Sequence, residues 1–145
     1  MIYVLYGQPA SGKTTLGKLL ADKLSTPFTI DGDEFRSMFE NRNYGREGRE
    51  ENIKSANAVA TYLNKKTQSA GHVVVSLVNP YLALRGELKR NNPGQVTEIL
   101  LKSGRELRKE YHVEDFESGN PDYSLNTDQE VGYTWSRLKN LLKIK

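Results

Sequence analysis

Apolar runs alternate with segments of helical periodicity along this chain. Four of the runs lack a regular polar alternation, as expected of strands covered on both faces. These runs are Ile2–Tyr6, Pro27–Ile30, His72–Val78 and Val96–Leu101, and a short fifth strand is predicted at Tyr123–Asn126. The repetition predicts an α/β fold of three layers (α/β/α) around a parallel sheet of about five strands.

Three apolar stripes between the strands have helical spacing. They are Leu16, Leu19, Leu20 and Leu24; Ile53, Ala56, Ala60 and Leu63; and Val131, Trp135, Leu138 and Leu142. Gly71 is predicted to end the second helix, and Thr127 or Asp128 to cap the last one. In such sheets ligands bind at the carboxyl ends of the strands, so chemistry is expected there.

Length and composition narrow the class of protein. A chain of 145 residues suits one domain, and the absence of cysteine excludes disulfides, thiol catalysis and thiolate metal sites. No apolar run approaches membrane-spanning length and no signal peptide pattern is visible, so a cytoplasmic location without membrane partners is expected. The net charge of +3, without an aromatic-interleaved basic patch, favours a small anionic substrate over nucleic acid. An exposed apolar helix face would permit a homodimer.

The stretch GQPASGKTT, residues 7–15, follows the first strand, and its first eight residues fit the Walker A pattern G-x-x-x-x-G-K-[ST]. Its glycines and the following helix N-terminus are suited to cradling phosphates, so ATP is the predicted ligand. Lys13 is expected to reach the β- and γ-phosphates, and Thr14 to help hold Mg²⁺. The alternative is a tight turn with an exposed lysine. The predicted nucleotide-binding residues are Gly7, Ala10, Ser11, Gly12, Lys13, Thr14 and Thr15.

Two carboxylates follow the second strand in the stretch TIDGDEFR. Asp33 is predicted to accept a proton from an acceptor hydroxyl or to orient it, and Asp31 to order metal-bound water. Arg36 falls on the same helical face as Asp33. Alternatively, Asp33 is a helix N-cap and Gly32 a turn residue.

Arg49 and Asn52 continue the apolar stripe of the second helix toward its N-terminus, which points them into the fold or a cleft. Arg49 suits a bidentate grip on phosphate or sulfate oxygens, and Asn52 can position a sugar or an anion. Tyr44 offers a stacking face for a base, whereas Arg46 is expected to be solvated. The alternative for Arg49 is a surface ion pair with Glu50, Glu51 or Asp33.

The segments GQPASGKTT, IDGDEFR, NYGREGREENI and VVVSLVNPYLALR resemble, in order and spacing, those of adenylylsulfate kinases. That family carries a phosphate loop, Asp-Gly-Asp-x-x-Arg, Gly-Phe-Ser-x-x-x-Arg-x-x-Asn and Ser-x-x-Ser-Pro-Tyr. The resemblance is good over roughly the first 90 residues. It implies a single P-loop NTPase-type kinase domain over residues 1–145. The implied reaction transfers the γ-phosphate of ATP to the 3′-hydroxyl of adenosine 5′-phosphosulfate.

The same resemblance implies residue roles. Asp33 would act on the 3′-hydroxyl, which completes a predicted catalytic set of Lys13, Asp31 and Asp33, with Thr14 and Asp31 serving the metal as the motifs already predict. The acceptor nucleotide would be held by Arg36, Tyr44, Arg49, Asn52, Asn79, Pro80 and Tyr81.

The chain also departs from the family. Asn79 stands where some members carry a phosphoserine, and Gly48 replaces an acid. The lid around residues 103–119 is shortened; Arg105 and Arg108 are predicted to cover the ATP phosphates or adenine, and His112 and Phe116 to close over the acceptor. For His112 an exposed loop position is the alternative. A related kinase for another nucleotide or sugar hydroxyl, and a nucleotide-binding module without turnover, are the competing interpretations.

Overall fold

The five strands form one parallel sheet in the computed structural model, which describes residues 1–68, 70–105 and 109–145. Strands β1 to β5 are Ile2–Tyr6, Thr29–Asp31, Val73–Leu77, Val96–Lys102 and Tyr123–Asn126. Their order is β2-β3-β1-β4-β5, and all four pairings are parallel. The predicted sheet is confirmed. Because β1 is central, the loop that follows it lies between the loops that follow β3 and β4.

The helices α1 to α5 are Lys13–Lys23, Gly32–Met38, Arg46–Lys66, Leu82–Asn91 and Val131–Leu142, and a short 3₁₀ turn spans Lys109–Tyr111. Two predicted helix boundaries are wrong. Helix α3 ends at Lys66 with Thr67 as its C-cap, before Gly71 is reached. Helix α5 has Glu130 as its N-cap, because the side chains of Thr127 and Asp128 are bound to other loops. None of the described helices combines the length and apolarity needed to cross a membrane.

The sheet is covered on both faces, which explains its uninterrupted apolar runs. In β1, Val4 and Tyr6 belong to the cluster that packs under α3 and α4, whereas Leu5 belongs to the cluster under α1 and α5. Alternate residues of a strand point to opposite faces, so each face must be apolar where helices cover both. The three-layer arrangement predicted from the sequence is confirmed.

Close packing of α1 on β3 fixes where the end of the phosphate loop lies. A Cβ added at Gly17 would collide with the Ser76 hydroxyl of β3, so glycine permits this approach. The Ser76 hydroxyl also donates a hydrogen bond to the Lys13 carbonyl oxygen. The first turn of α1 is thereby held beside the carboxyl ends of β3 and β2.

Candidate active site

The loop between β1 and α1 has a backbone suited to an anion. Ala10 and Gly12 have positive φ angles of 65° and 92°. A left-handed conformation costs a non-glycine residue roughly 1–2 kcal/mol, so Ala10 is a strained position in this loop. A Cβ at Gly7 would collide with the Leu101 carbonyl oxygen, which explains why the first position of the loop is a glycine. Left-handed residues in such a loop turn successive N–H groups toward one point, the geometry of a phosphate cradle.

Lys13 lies across this loop and lines a cavity that extends from the phosphate loop to the carboxyl ends of β2 and β3. Its ammonium donates to the Gln8 carbonyl oxygen at 2.8 Å and to the Ser11 hydroxyl at 3.2 Å. Thr15, which the sequence predicts to bind the nucleotide, is exposed in the first turn of α1.

A second loop braces the phosphate cradle from the β4–β5 side. The Thr127 hydroxyl donates to the Ser11 carbonyl oxygen at 2.7 Å. Arg105 donates from its guanidinium to the Thr127 carbonyl oxygen, which places this predicted cation beside the cradle. Hydrogen bonds from the Ser103 hydroxyl and the Gly104 amide lower the pKa of Asp128 and fix the start of the lid. The other predicted lid cation, Arg108, lies outside the described residues.

Asp31 links the phosphate loop to the end of β2. Its Oδ2 accepts a 2.6 Å hydrogen bond from the Thr14 hydroxyl, and its Oδ1 accepts from the amides of Asp33 and Glu34. Asp31 is therefore the N-cap of α2, and the alternative that Asp33 caps this helix is wrong. Asp33 instead lies in the first turn of α2 and is one of the residues that line the cavity.

Thr14 and Asp31 fit a magnesium site by their chemistry. Mg²⁺ prefers oxygen ligands, often one or two from protein together with waters and substrate phosphates. Within the described residues no group of three or more acidic, histidine or cysteine side chains is placed to hold a metal. A metal at this position would therefore depend on nucleotide phosphates for much of its coordination.

Arg36 and Tyr44 form the far wall of the cavity. The guanidinium of Arg36 lies 4.1 Å from the centre of the Tyr44 ring and donates to the Asn43 carbonyl oxygen at 2.9 Å. Burial lowers the pKa of Arg36, while Tyr44 and Asp33 act in the opposite direction. A Cβ at Gly48 would collide with the backbone of Asn43, which explains why the family's acid is missing there.

Arg49 is oriented by two neighbours. Its Nε donates to the Tyr44 carbonyl oxygen and its Nη1 to the Tyr81 hydroxyl, both at 2.9 Å. Tyr81 is 2% exposed and lies behind Arg49. Burial raises the pKa of Tyr81, and Arg49 opposes that shift. The alternative interpretation pairs Arg49 with Glu50, Glu51 or Asp33. In the structure its partners are instead Tyr81 and Asp115, and Oδ1 of Asp115 lies 3.7 Å from Nη1 of Arg49.

Two buried asparagines face the same cavity with polar atoms that no described group pairs. They are Oδ1 of Asn52 and both amide atoms of Asn79. Asn79 is 1% exposed and has a positive φ of 51°. Buried polar groups are nearly always hydrogen-bonded, so these atoms are available to bind water or a ligand in the cavity.

One cavity thus joins both halves of the predicted site. Its wall includes ten predicted residues: Lys13, Thr14, Asp31, Asp33, Arg36, Tyr44, Arg49, Asn52, Asn79 and Pro80. The phosphate loop and the acid–arginine cluster therefore face each other across one cleft, as the sequence predicts.

The lid residues differ from the prediction. The ring of Phe116 stacks on Tyr6 with centroids 6.1 Å apart, and Phe116 is not among the residues that line the cavity. His112 is exposed, as in the alternative interpretation. Tyr111 and Val113 line the cavity instead.

Sequence reasoning missed the groups that hold this part of the lid. The Gln8 amide donates to the Val113 carbonyl oxygen at 2.7 Å and accepts from the Val113 amide at 2.9 Å. Arg85, 2% exposed, donates to the carbonyl oxygens of Asn79 and Glu117. The sequence did contain a signal for a buried cation, because a glutamate, Glu98, interrupts the apolar run Val96–Leu101. Its buried carboxylate lies 3.5 Å from Arg85.

Tyr6 adds a further anchor from the central strand. Its hydroxyl donates to the Ser118 carbonyl oxygen at 2.6 Å. Burial raises the pKa of Tyr6 to about 12, so this hydroxyl keeps its proton at an alkaline pH where an exposed tyrosine would lose it.

A phosphate cradle at the end of a central parallel strand, facing an acid and an arginine cluster across one cleft, defines a P-loop kinase. The family model for adenylylsulphate kinase matches residues 1–115. The chain belongs to the adenylylsulphate kinase family, and it is an ATP-dependent kinase.

Solved structures share the fold. The Mycobacterium tuberculosis APS kinase CysC, in complex with AMPPNP and APS, aligns with a TM-score of 0.79 at 20% identity, covering 98% of this chain and 96% of that one. Shikimate kinase from Aquifex aeolicus gives 0.68 at 19% identity, covering 99% and 96%. A gluconokinase from Sinorhizobium meliloti gives 0.62 at 18% identity, covering 97% and 94%. No curated protein matches the chain by sequence.

Proposed function

We propose that this kinase, as a single domain over residues 1–145, transfers the γ-phosphoryl group of ATP to the 3′-hydroxyl of adenosine 5′-phosphosulfate. The observation that carries the proposal is the single cavity that Lys13, Asp33 and Arg49 all line. The family match supports the reaction class, and the CysC complex shows that this fold holds AMPPNP and APS in a related protein.

The donor phosphates would rest on the N–H groups of residues 7–14. Lys13 would leave the Gln8 carbonyl oxygen for the β- and γ-oxygens. Mg²⁺, held by Thr14 and through water by Asp31, would neutralise charge on these oxygens. Arg105, beside Thr127, would cover the donor nucleotide from the lid side.

The acceptor would lie against the opposite wall. Asp33 would orient the attacking hydroxyl and take its proton as the bond to phosphorus forms. Arg36 and Arg49 would hold the phosphosulfate, Tyr44 would contact the adenine, and Asn52 would hydrogen-bond the ribose.

A second candidate is a kinase of the same frame that uses another nucleotide or a sugar hydroxyl. Asn79 in place of the family's serine favours this second candidate. Its unpaired amide offers a donor and an acceptor to the cavity, where a serine would offer a hydroxyl. The gluconokinase and the shikimate kinase among the structural neighbours support it, because they are kinases of this fold named for acceptors other than adenosine 5′-phosphosulfate.

A transfer assay with radiolabelled ATP and Mg²⁺ tests the proposal. The acceptors are adenosine 5′-phosphosulfate, adenosine 5′-monophosphate, gluconate and shikimate, with Lys13→Ala as the inactive control and Lys18→Ala, an exposed lysine of α1, as its matched partner. We expect strong labelling of adenosine 5′-phosphosulfate by the wild type and by Lys18→Ala. Labelling of another acceptor alone would overturn the assignment in favour of the second candidate.

A further inference from the structure

A carboxylate from the lid lies between two arginines at the start of α3, of which Arg49 lines the cavity. Asp115 Oδ2 is 3.0 Å from Nη1 of Arg46, and Asp115 Oδ1 is 3.7 Å from Nη1 of Arg49. The two arginines are three residues apart at the start of α3, so they present neighbouring guanidiniums on one side of the helix.

Both arginines rest on the same buried ring. The guanidinium carbons of Arg46 and Arg49 lie 4.3 Å and 5.9 Å from the centre of the Tyr81 ring. Arg46 is further fixed by Glu50 at 2.8 Å, and Arg49 by the Tyr81 hydroxyl at 2.9 Å. The two Nη1 groups therefore have defined positions, which a site for an anion requires.

We propose that Arg46 and Arg49 form a binding site for a sulfate or phosphate group of the acceptor, and that Asp115 occupies this site until the acceptor displaces it. The proposal rests on the proposed function in that it assumes an anionic acceptor. It goes further because it assigns a role to Arg46, which falls on an unspecified position of the family pattern, and to Asp115, which lies outside the quoted segments.

The arrangement favours exchange of one anion for another. The side chains of Arg46 and Asp115 are 60% and 55% exposed, and exposed ion pairs are individually weak. A sulfate or phosphate group offers three or more oxygens to the two guanidiniums, whereas the carboxylate offers two. Glu50 keeps its bond to Arg46 Nε, which leaves the Nη1 side for the incoming group.

The test is a titration of the full chain with inorganic sulfate, and in parallel with inorganic phosphate. Mg²⁺–AMPPNP is kept saturating so that the phosphate loop is filled. Thermal unfolding reports binding, since a ligand of the folded state raises the midpoint. Asp115→Asn removes the competing carboxylate, and Glu114→Gln removes the same charge one residue away.

We expect Asp115→Asn to bind sulfate or phosphate about fivefold more tightly than wild type, and Glu114→Gln to stay within about twofold. Arg46→Ala is expected to bind about fivefold more weakly. The tighter of the two anions identifies the acceptor group. Equal affinities for Asp115→Asn and Glu114→Gln, or wild-type affinity for Arg46→Ala, would overturn the proposal.

Transfer kinetics separate this inference from the proposed function. If adenosine 5′-phosphosulfate is not phosphorylated but the sulfate titration gives the expected pattern, the assigned acceptor is wrong and the anion site stands. If it is phosphorylated and Asp115→Asn leaves both its KM and sulfate affinity at the Glu114→Gln level, the anion site is wrong and the function stands.

Discussion

The Thr14 hydroxyl donates a 2.6 Å hydrogen bond to Asp31 Oδ2 and so joins the end of the phosphate loop to the end of β2. The other oxygen of Asp31 caps α2 through the amides of Asp33 and Glu34. One carboxylate therefore sets the position of the predicted metal ligand Thr14 and the orientation of the helix that carries Asp33.

We expect Asp31→Asn to raise the Mg²⁺ concentration needed for half-maximal activity about tenfold, because an amide lacks the charge that orders metal-bound water. Stability should change by less than about 1 kcal/mol, since the amide oxygen still caps α2. Mg²⁺ titration of the initial rate and urea unfolding measure the two effects. Asp22→Asn, an exposed acid of α1, is the control. An unchanged Mg²⁺ dependence would remove Asp31 from the metal site.

Asp33→Asn should lower kcat about 10²–10⁴-fold, because the amide cannot take the acceptor proton. The Kd for AMPPNP should stay at the wild-type value, since the phosphate loop is untouched. Steady-state kinetics and calorimetry measure these quantities. Glu34→Gln changes the neighbouring exposed carboxylate in the same way and should be as active as the wild type. Wild-type kcat in Asp33→Asn would refute the role as base.

Substitutions at Asn79 can separate its backbone from its amide. With φ of 51°, Asn79→Gly should be about 1 kcal/mol more stable than Asn79→Ala, because only glycine adopts this conformation without steric cost. Both variants lose the unpaired amide and should raise the acceptor KM to a similar degree. Urea unfolding and acceptor titration supply the two readouts. A wild-type acceptor KM in Asn79→Gly would place the amide outside the acceptor site.

The pair of hydrogen bonds between Gln8 and Val113 should control local opening of the lid. Gln8→Ala removes both, and each is worth about 0.5–1.5 kcal/mol, so amide exchange at Val113 should quicken about tenfold or more. Hydrogen exchange followed by NMR measures this rate. Gln129→Ala, an exposed glutamine before α5, should leave it unaltered. An unchanged rate in Gln8→Ala would show that other contacts hold the segment.

His72 should make the protein less stable in mild acid. Burial, with help from the N-terminal ammonium, lowers the pKa of His72 below its ordinary 6.5. The unfolded chain then gains this proton at a higher pH than the folded one, so stability falls as the pH drops below about 6.5 toward the folded pKa. His72→Gln should flatten the free energy of unfolding over this window in urea titrations. The exposed His112 supplies the control, His112→Gln. A wild-type pH slope in His72→Gln would assign the effect to other groups.

Much of the fold can be predicted from short-range patterns in the sequence. The strand-like runs and the helical stripes depend on side-chain periodicity, so the parallel sheet and the positions of its strands follow from the sequence. The predicted helix boundaries were less accurate where a capping side chain has a distant partner. Thr127 looks like a helix cap in the sequence, but its hydroxyl is bound to Ser11 across the sheet, and Glu130 takes the capping position.

The sequence by itself predicted the candidate site of this protein: a phosphate loop, two acids and an arginine–asparagine pair, each recognisable because the role proposed for it needs those residue types at fixed local spacing. Only the tertiary structure decided that Thr127 is bound to Ser11, that Phe116 packs on Tyr6, and that Asp115 lies between Arg46 and Arg49. The physical reason is the separation along the chain of the residues that interact. Spacing along the chain fixes which neighbours share a helix face, whereas contacts between residues tens of positions apart depend on how the layers pack.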